Sequence, residues 1–352
     1  MKSILITGGL GYIGSHTSLV LLEKGYEILI IDSLVNSKKQ TLERIKKILN
    51  KKNKKIENKI SFFEGDLRNK KFIEDVFNFA LKMKKPIEGV IHFAGLKSVG
   101  ESVKFPLNYW DNNVISTINL LKVMQENFCN TLIFSSSATI YGISDNEIIK
   151  EDSNINPINP YGTTKATIES LLKDIFNSQP DIWRIANLRY FNPIGAHYSG
   201  LIGEEPIGKP NNIFPIITRV AAKEIDQLMI FGNDWDTIDG TGIRDYIHVM
   251  DVADGHVEAI EYLWEKSPQL LSFNLGTGKG TSVLELINIF QKVNNVNVPF
   301  IFTQRRLGDS CKVIADNNLA TNLLNWKPKR TIEDMCIDGW KWQQYKQKFI
   351  VL

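Results

Sequence analysis

The chain has 352 residues, 43% of them hydrophobic and 23% charged, with a net charge of +3. That length suits a large core shared between two connected lobes, and the composition excludes a disordered or fibrous chain. The near balance of charge argues against a polyanion-binding surface: the lysines concentrate between Arg44 and Lys59, a run without interleaved aromatics that is expected as one solvated helix and its turn.

Lys2 to Thr7 is nearly all apolar or β-branched, the pattern of a strand buried on both faces of a parallel sheet. It runs into Gly8-Gly9-Leu10-Gly11-Tyr12-Ile13-Gly14. Gly8 allows a tight turn, Gly11 lets the backbone approach a pyrophosphate, and Gly14 lets the next helix pack closely on the strand. Ser15 to Lys24 is the expected helix, stopped by Gly25, and Glu27 to Ile31 the second strand. Asp32 follows, eighteen residues past Gly14, where a carboxylate accepts from both ribose hydroxyls of an adenosine and repels a 2′-phosphate. Strand, glycine turn, helix, strand and acid in this order point to NAD rather than NADP, with Lys38 and Lys39 as the opposing signal.

The alternation continues. Ser61 to Glu64 is a short strand leading to Asp66, which is placed to accept from an adenine amino group or to cap a helix. Gly89 to Phe93 is a buried strand followed by Ala94-Gly95-Leu96-Lys97, small residues at the strand edge where open α/β sheets bind ligands. Asn112 and Asn113 begin or line a long helix reaching Asn127. Thr131 to Ser136 is the fifth strand and delivers Ser137 to the same edge.

Asn159-Pro160-Tyr161-Gly162-Thr163-Thr164-Lys165 reads as a helix start, which sets Tyr161 and Lys165 at i and i+4 on one face. A nearby ammonium favours phenolate, and each unit taken off a tyrosine pKa of about 10 needs about 1.4 kcal/mol. Tyr-x-x-x-Lys alone is a common pattern, also satisfied by an aromatic beside a surface lysine. Ser137 strengthens it, because its hydroxyl is able to pass a proton between a substrate and Tyr161.

Trp183 to Arg189 is the sixth strand, and from Gly195 to Asn212 glycine, proline and asparagine interrupt the rhythm. We therefore expect an α/β protein: a Rossmann-type doubly wound parallel sheet over residues 1–190 and a smaller C-terminal substrate-binding lobe over 191–352. The segment near 245–255 reads as a strand able to return to the first lobe. In the second lobe the arginines Arg244 and Arg306 suit a diphosphate, and Asn192 and Asn212 suit sugar hydroxyls or uracil.

Gly276-Thr277-Gly278-Lys279-Gly280-Thr281 fails as a P-loop: glycine follows Lys279, and Phe273 stands at the first glycine position. Ser282-x-x-Glu285 is a capping box that starts a helix. The five histidines lack metal-ligand spacing, so no metal is implied. Cys129, Cys311 and Cys336 have no pairing pattern and suit reduced thiols. With no signal peptide ahead of the first strand and no run as long as a membrane span, a soluble cytoplasmic protein is expected, with neither nucleic acid nor membrane as partner.

The glycine turn, Asp32, Ser137 and Tyr161-x-x-x-Lys165 together resemble the extended short-chain dehydrogenase/reductase family. Further blocks narrow the resemblance to its UDP-glucose 4-epimerase branch. They are Thr7–Thr17, His92–Lys97, Ser135–Gly142, Leu188–Pro193 and, most specific, Gly240–Asp251. The resemblance implies NAD retained through the cycle, a UDP-hexose substrate, and a homodimer joined through the helices containing Asn112 to Asn127 and Tyr161 to Phe176. It implies cofactor positions at Gly8, Gly11, Tyr12, Ile13, Gly14, Asp32, Asn36, Ser37, Asp66, Leu67, Phe93, Ala94, Gly95, Lys97, Asn112, Ser137, Tyr161, Lys165 and Phe191. Substrate positions would be Asn192, Asn212, Ile213, Phe231, Arg244, Arg306, Asp309 and Val313. It also implies a mechanism: Tyr161, helped by Ser137 and supported by Lys165, takes the proton of the sugar 4-hydroxyl while hydride leaves C4, and the 4-keto sugar turns over before both return.

One departure concerns specificity. Family members commonly carry tyrosine at the position of Val313, so a roomier pocket that also admits N-acetyl sugars is expected. Two alternatives stand beside the epimerase. A nucleotide-sugar 4,6-dehydratase would need an acid and a base where this chain has Ala138 and Thr139, and a non-catalytic NAD-sensing protein would have no use for Ser137, Tyr161 and Lys165 together.

Overall fold

The computed structural model describes residues 2–52, 59–144, 147–208, 210, 212–306 and 308–350, with side chains through residue 348. The lysine-rich run forms a helix over Gln40–Lys51, and the turn expected after it falls largely on residues 53–58, outside the described residues.

Seven strands make the main sheet: β1 Ser3–Thr7, β2 Glu27–Asp32, β3 Ile60–Glu64, β4 Ile87–His92, β5 Thr131–Ser137, β6 Arg184–Tyr190 and β7 Gln269–Leu275. Their order across the sheet is β7-β6-β5-β4-β1-β2-β3, and the pairs from β3 to β5 are parallel. The chain starts in the middle, fills one side, then crosses β1 to fill the other. That reversal between β1 and β4 is the switch point where strand ends diverge and leave a crevice. All five residues of β1 are buried, as an apolar strand covered on both faces requires.

The chain divides into two compact units. The first comprises Met1–Gly142, Ile155–Arg189 and Ala253–Phe273, the second Ile143–Asn154, Tyr190–Val252 and Asn274–Leu352. The core of the first is built from the sheet and its helices, with Leu5, Phe77, Val90, Leu120, Phe134 and Leu172 among its buried members. At about 1.5–3 kcal/mol for each large side chain taken from water, such a cluster dominates the stability of its unit. The second unit has a separate cluster around Phe214, Ile217, Leu286, Phe290 and Met335.

Three elements differ from the sequence expectation. Tyr246–His248 pairs in parallel with Asn192–Ile194 inside the second unit, and the chain re-enters the first unit within the Val249–Glu265 helix rather than as a strand. Residues 143–154 belong to the second unit, where Ile148 and Ile149 pair with Ile314 and Ala315. The long helix expected from Asn112 begins at Ser116, and Trp110–Ile115 is a π-helical stretch. No helix among the described residues is long and apolar enough to cross a membrane. The three cysteines are free thiols.

Candidate active site

The glycine turn joins β1 to the Tyr12–Lys24 helix. Gly8 has φ +68°, and a Cβ there would lie 2.8 Å from the Ala94 nitrogen. At Gly14 a Cβ would stand 2.3 Å from the Gly8 carbonyl oxygen, so the helix meets the turn at a distance only glycine permits. Gly11 is different: a Cβ there meets only the Gly8 oxygen, at 3.2 Å. Its open side faces the start of a helix that has no side-chain cap at Gly11 and no acidic residue in its first turn, leaving N–H groups for an anion. Asp32, 7% exposed at the end of β2, accepts from the Leu10 and Leu34 amides at 3.0 and 2.9 Å and from Ser37 Oγ at 2.7 Å. Three donors on a carboxylate with about four acceptor sites leave capacity for a ligand hydroxyl. Asn36 lies in the same loop, exposed.

At the end of β4 the Phe93 ring lies 4.6 Å from that of His256, and the Phe93 and Ala94 amides donate to the Thr7 carbonyl, bringing Ala94 and Gly95 beside the glycine turn. Lys97 Nζ is 5.9 Å from the Tyr12 ring centre. Asp66 caps no helix; the Asn69 side chain does that, accepting from the Phe72 amide. Both oxygens of Asp66 face Arg68, and the guanidinium holds its carboxyl below the usual carboxylate range. Leu67, beside it, is a core residue. Asn112 turns back to its own helix, its amide donating to the Asn108 carbonyl.

The end of β5 and the Pro160–Ser178 helix bring Ser137, Tyr161 and Lys165 together. Asn159 caps that helix by accepting from the Gly162 amide at 2.9 Å, and Pro160 takes the first position, where its missing N–H costs nothing. The cap fixes the turn from which Tyr161 projects. Ser137 hydrogen-bonds the Tyr161 phenol and also accepts from Thr139 Oγ1 at 3.0 Å. Lys165 is buried, with Nζ donating to the Ser135 carbonyl at 2.6 Å and lying 5.9 Å from the Tyr161 ring centre. The Tyr161 pKa is raised, contrary to the lowering expected from its lysine neighbour: burial raises it, while the Ser137 hydrogen bond pulls the other way. Burial pushes the Lys165 ammonium down to about 8, against a raising influence from Glu169.

In the second unit Arg306 lies over the Phe231 ring at 3.7 Å. Arg244 donates to the Ile243 and Ser310 carbonyls, both at 2.9 Å, and stands 3.9 Å from Asp309. Val313 is the strand partner of Arg244. Desolvation lowers the Arg306 pKa, with the Asp309 charge raising it and the Arg244 charge lowering it, so two guanidinium groups share one electropositive spot. Asn192 is tied in through its amide, which donates to the Asp245 carbonyl. Asn212 is exposed at the start of the Ile213–Ala221 helix and donates to Glu204, and Phe191 is buried with its amide on the Leu275 carbonyl.

Several contributors were not singled out from the sequence. Asn113, not Asn112, is the buried member of the pair: it accepts from the Leu96 amide at 2.7 Å and donates to the Leu96 carbonyl and to Thr164, tying the loop after β4 to the Tyr161 helix. Asp245, fully buried, accepts from Thr277 (amide and hydroxyl) and from the Gly278 and Ala315 amides. The glycine-rich stretch rejected as a P-loop thus does cradle an anion, the carboxylate of Asp245. The Glu169–Arg189 ion pair behind Lys165 was also missed, although Glu169 continues the i, i+4 series from Tyr161. Among the described residues no cluster of His, Cys, Asp or Glu is arranged to hold a metal ion.

Residues 5–338 match the family model described as GDP-mannose 4,6 dehydratase. The chain is 47% identical to the UDP-glucose 4-epimerase of Bacillus subtilis (strain 168), over 97% of this chain and 96% of that protein. Among solved structures it is similar to UDP-glucose-4-epimerase from Stenotrophomonas maltophila with bound NAD and formylated UDP-arabinopyranose, with TM-score 0.93, 44% identity, and coverage of 99% of this chain and 100% of that one. The enzyme from Bifidobacterium longum, in complex with NAD+ and UDP, gives TM-score 0.90 and 41% identity, covering 98% and 99% of the two chains.

Proposed function

The chain belongs to the UDP-glucose 4-epimerase family of extended short-chain dehydrogenase/reductases, and from that membership we propose that it interconverts UDP-glucose and UDP-galactose through a 4-keto sugar. The observation that carries the reading is Ser137, Tyr161 and Lys165 gathered at one strand edge, with Ala138 and Thr139 next in the chain. A dehydratase needs an acid and a base at those two positions for elimination. Here Thr139 supplies a hydroxyl that donates to Ser137, and chemistry stops at C4.

The dinucleotide fits the first unit. Glycine at positions 8 and 14 lets the turn, the strand after it and the helix start close on one another, the helix start offers N–H groups to a pyrophosphate, and Asp32 keeps acceptor capacity for ribose. Held by these residues, NAD would supply the acceptor and then the donor of the C4 hydride. Tyr161 takes and restores the proton of the 4-hydroxyl, Ser137 relays it, and the Lys165 charge favours the phenolate. The Arg244 and Arg306 guanidinium groups hold the diphosphate and Phe231 the uracil, while Asn192 and Asn212 serve the sugar and base. The protein works as a cytoplasmic homodimer; exposed Val103, Phe105 and Leu107, at 62%, 55% and 81%, supply apolar surface for a second copy.

The test is proton NMR of UDP-galactose with purified protein and no added cofactor. UDP-glucose is expected; no conversion by protein that carries NAD overturns the reading. A second reading extends the substrate range: Val313, beside Arg244 in the strand register, takes little room, so UDP-N-acetylgalactosamine is expected to turn over as well. Val313→Tyr should then lower kcat/KM for the N-acetyl sugar at least tenfold, about 1.4 kcal/mol, while sparing UDP-galactose. Equal loss for both substrates counts against it.

A further inference from the structure

Three consecutive serines end β5, and each meets one residue of the Pro160–Ser178 helix. Ser137 bonds Tyr161, the Ser135 carbonyl receives Lys165 Nζ, and Ser136 Oγ donates to Glu169 Oε1 at 2.5 Å. Tyr161, Lys165 and Glu169 stand at i, i+4 and i+8, one face of one helix. The reading of Tyr161 and Lys165 as the proton-handling pair uses two of these three contacts. The third is a buried charge with no part in it.

Glu169 is 6% exposed and Arg189 4%. Their pairing is bidentate, Nε to Oε1 at 3.0 Å and Nη2 to Oε2 at 2.6 Å, and Nη1 of Arg189 donates to the Tyr141 hydroxyl at 2.9 Å. A buried ion pair is a poor device for stability, since desolving both partners offsets most of their attraction. Its placement suggests a different use. We propose that Glu169, locked by Arg189 and Ser136, is a positioning residue that keeps the Lys165 ammonium charged behind the Tyr161 phenol.

The surroundings of Lys165 leave that task to Glu169. From β5 it meets the Ser135 carbonyl and the Phe134 ring, whose centre is 4.8 Å from Nζ. From β4 the nearby titratable group is His92, which burial and then the Lys165 charge hold down at about 3, so it is neutral at working pH. From its own helix it meets Tyr161 and Glu169. Glu169 in turn faces Lys165 on its helix, Ser136 on β5 and Arg189 on β6, with Tyr141 beyond Arg189. Burial works to discharge this ammonium, and the carboxylate one helical turn away opposes it.

This inference rests on the proposed epimerase chemistry, and the experiment separates the two. The kcat–pH profile with UDP-galactose is compared for the wild type, Glu169→Gln and Glu169→Asp. Losing the carboxylate lowers the affinity of Lys165 for its proton, so the alkaline limb of Glu169→Gln should move about one pH unit toward acid. Glu169→Asp keeps the charge and should hold the limb near its wild-type place. Where Glu169→Gln is too unstable with Arg189 unpaired, Glu169→Gln/Arg189→Met removes both charges and should move the limb in the same direction. A uniform loss of kcat at every pH, with the limb unmoved, overturns the proposal and leaves Glu169 a structural residue. Titration of the Lys165 ε-nitrogen by ¹⁵N-lysine NMR, assigned against Lys165→Met, needs no turnover: an unchanged midpoint in Glu169→Gln overturns the inference even if the wild type proves inactive, which would by itself overturn only the epimerase reading.

Discussion

Tyr161 sits in an environment that, in the protein alone, opposes the job proposed for it. Burial raises its pKa, Ser137 counters in part, and the Lys165 ammonium lies at 5.9 Å from the ring centre rather than on the hydroxyl. A phenol so placed holds its proton until something favours the anion, which suits a group that must return the proton within the same cycle. Tyr161→Phe removes the hydroxyl and keeps the ring, so kcat for UDP-galactose should fall about 10²–10⁴-fold with KM changed far less. Progress curves at saturating substrate would read this, and a variant within tenfold of the wild type would remove Tyr161 from the proton path. That Tyr161, Lys165 and Ser137 come together was legible because a helical period and a strand end are local properties. The direction of the Tyr161 shift was not, because it depends on how much protein closes around the ring.

The glycine turn was legible as an element for the same reason: its constraints act within one strand, one turn and one helix. Gly14 shows how narrow they are, since a Cβ 2.3 Å from the Gly8 carbonyl oxygen has only backbone to displace. Gly14→Ala should open the turn, cost about 1–3 kcal/mol of stability and release the retained dinucleotide. Purified protein would be assayed for bound NAD after denaturation and for its unfolding midpoint. Wild-type NAD content with an unchanged midpoint would show that the turn tolerates the methyl group. Elements whose shape is set by distant partners escaped sequence reasoning. The Gly276–Gly278 loop resembles a phosphate loop because it does bind an anion, but the anion is Asp245, thirty-odd residues earlier in the chain. Asn112 and Asn113 are adjacent and chemically identical, and only the path of the π-helical stretch decides that Asn113 reaches Leu96 and Thr164.

At the scale of the molecule, apolar strands alternating with helices announced a doubly wound sheet, and its order follows from right-handed crossovers on either side of β1. The partition into units was harder to read. Residues 143–154 and 253–273 each join the unit opposite to the one their place in the chain suggests, through pairings such as Ile148 with Ile314 that carry no local signature. His92 bears on the stability of the whole sheet. Nδ1 and Nε2 bond the Thr7 and Thr117 hydroxyls at 2.7 and 2.8 Å, linking β4 to β1 and to the Ser116–Glu126 helix that covers them. Burial and then the Lys165 charge hold its pKa down at about 3 against an ordinary 6.5. The unfolded chain therefore takes up a proton below 6.5 that the native state refuses until about 3. This contribution to stability is complete above 6.5 and is lost as pH falls toward 3, at about 1.4 kcal/mol per pH unit. Other groups add their own acid dependence, so the informative quantity is the difference between the wild type and His92→Asn in urea unfolding at pH 7, 6 and 5. The wild type should be the more stable at pH 7, and its advantage should shrink by at least 1 kcal/mol by pH 5. A constant difference across that range would mean that His92 takes up its proton in the folded protein as readily as in the unfolded chain, and that its two threonine partners, not its neutrality, set its worth to the fold.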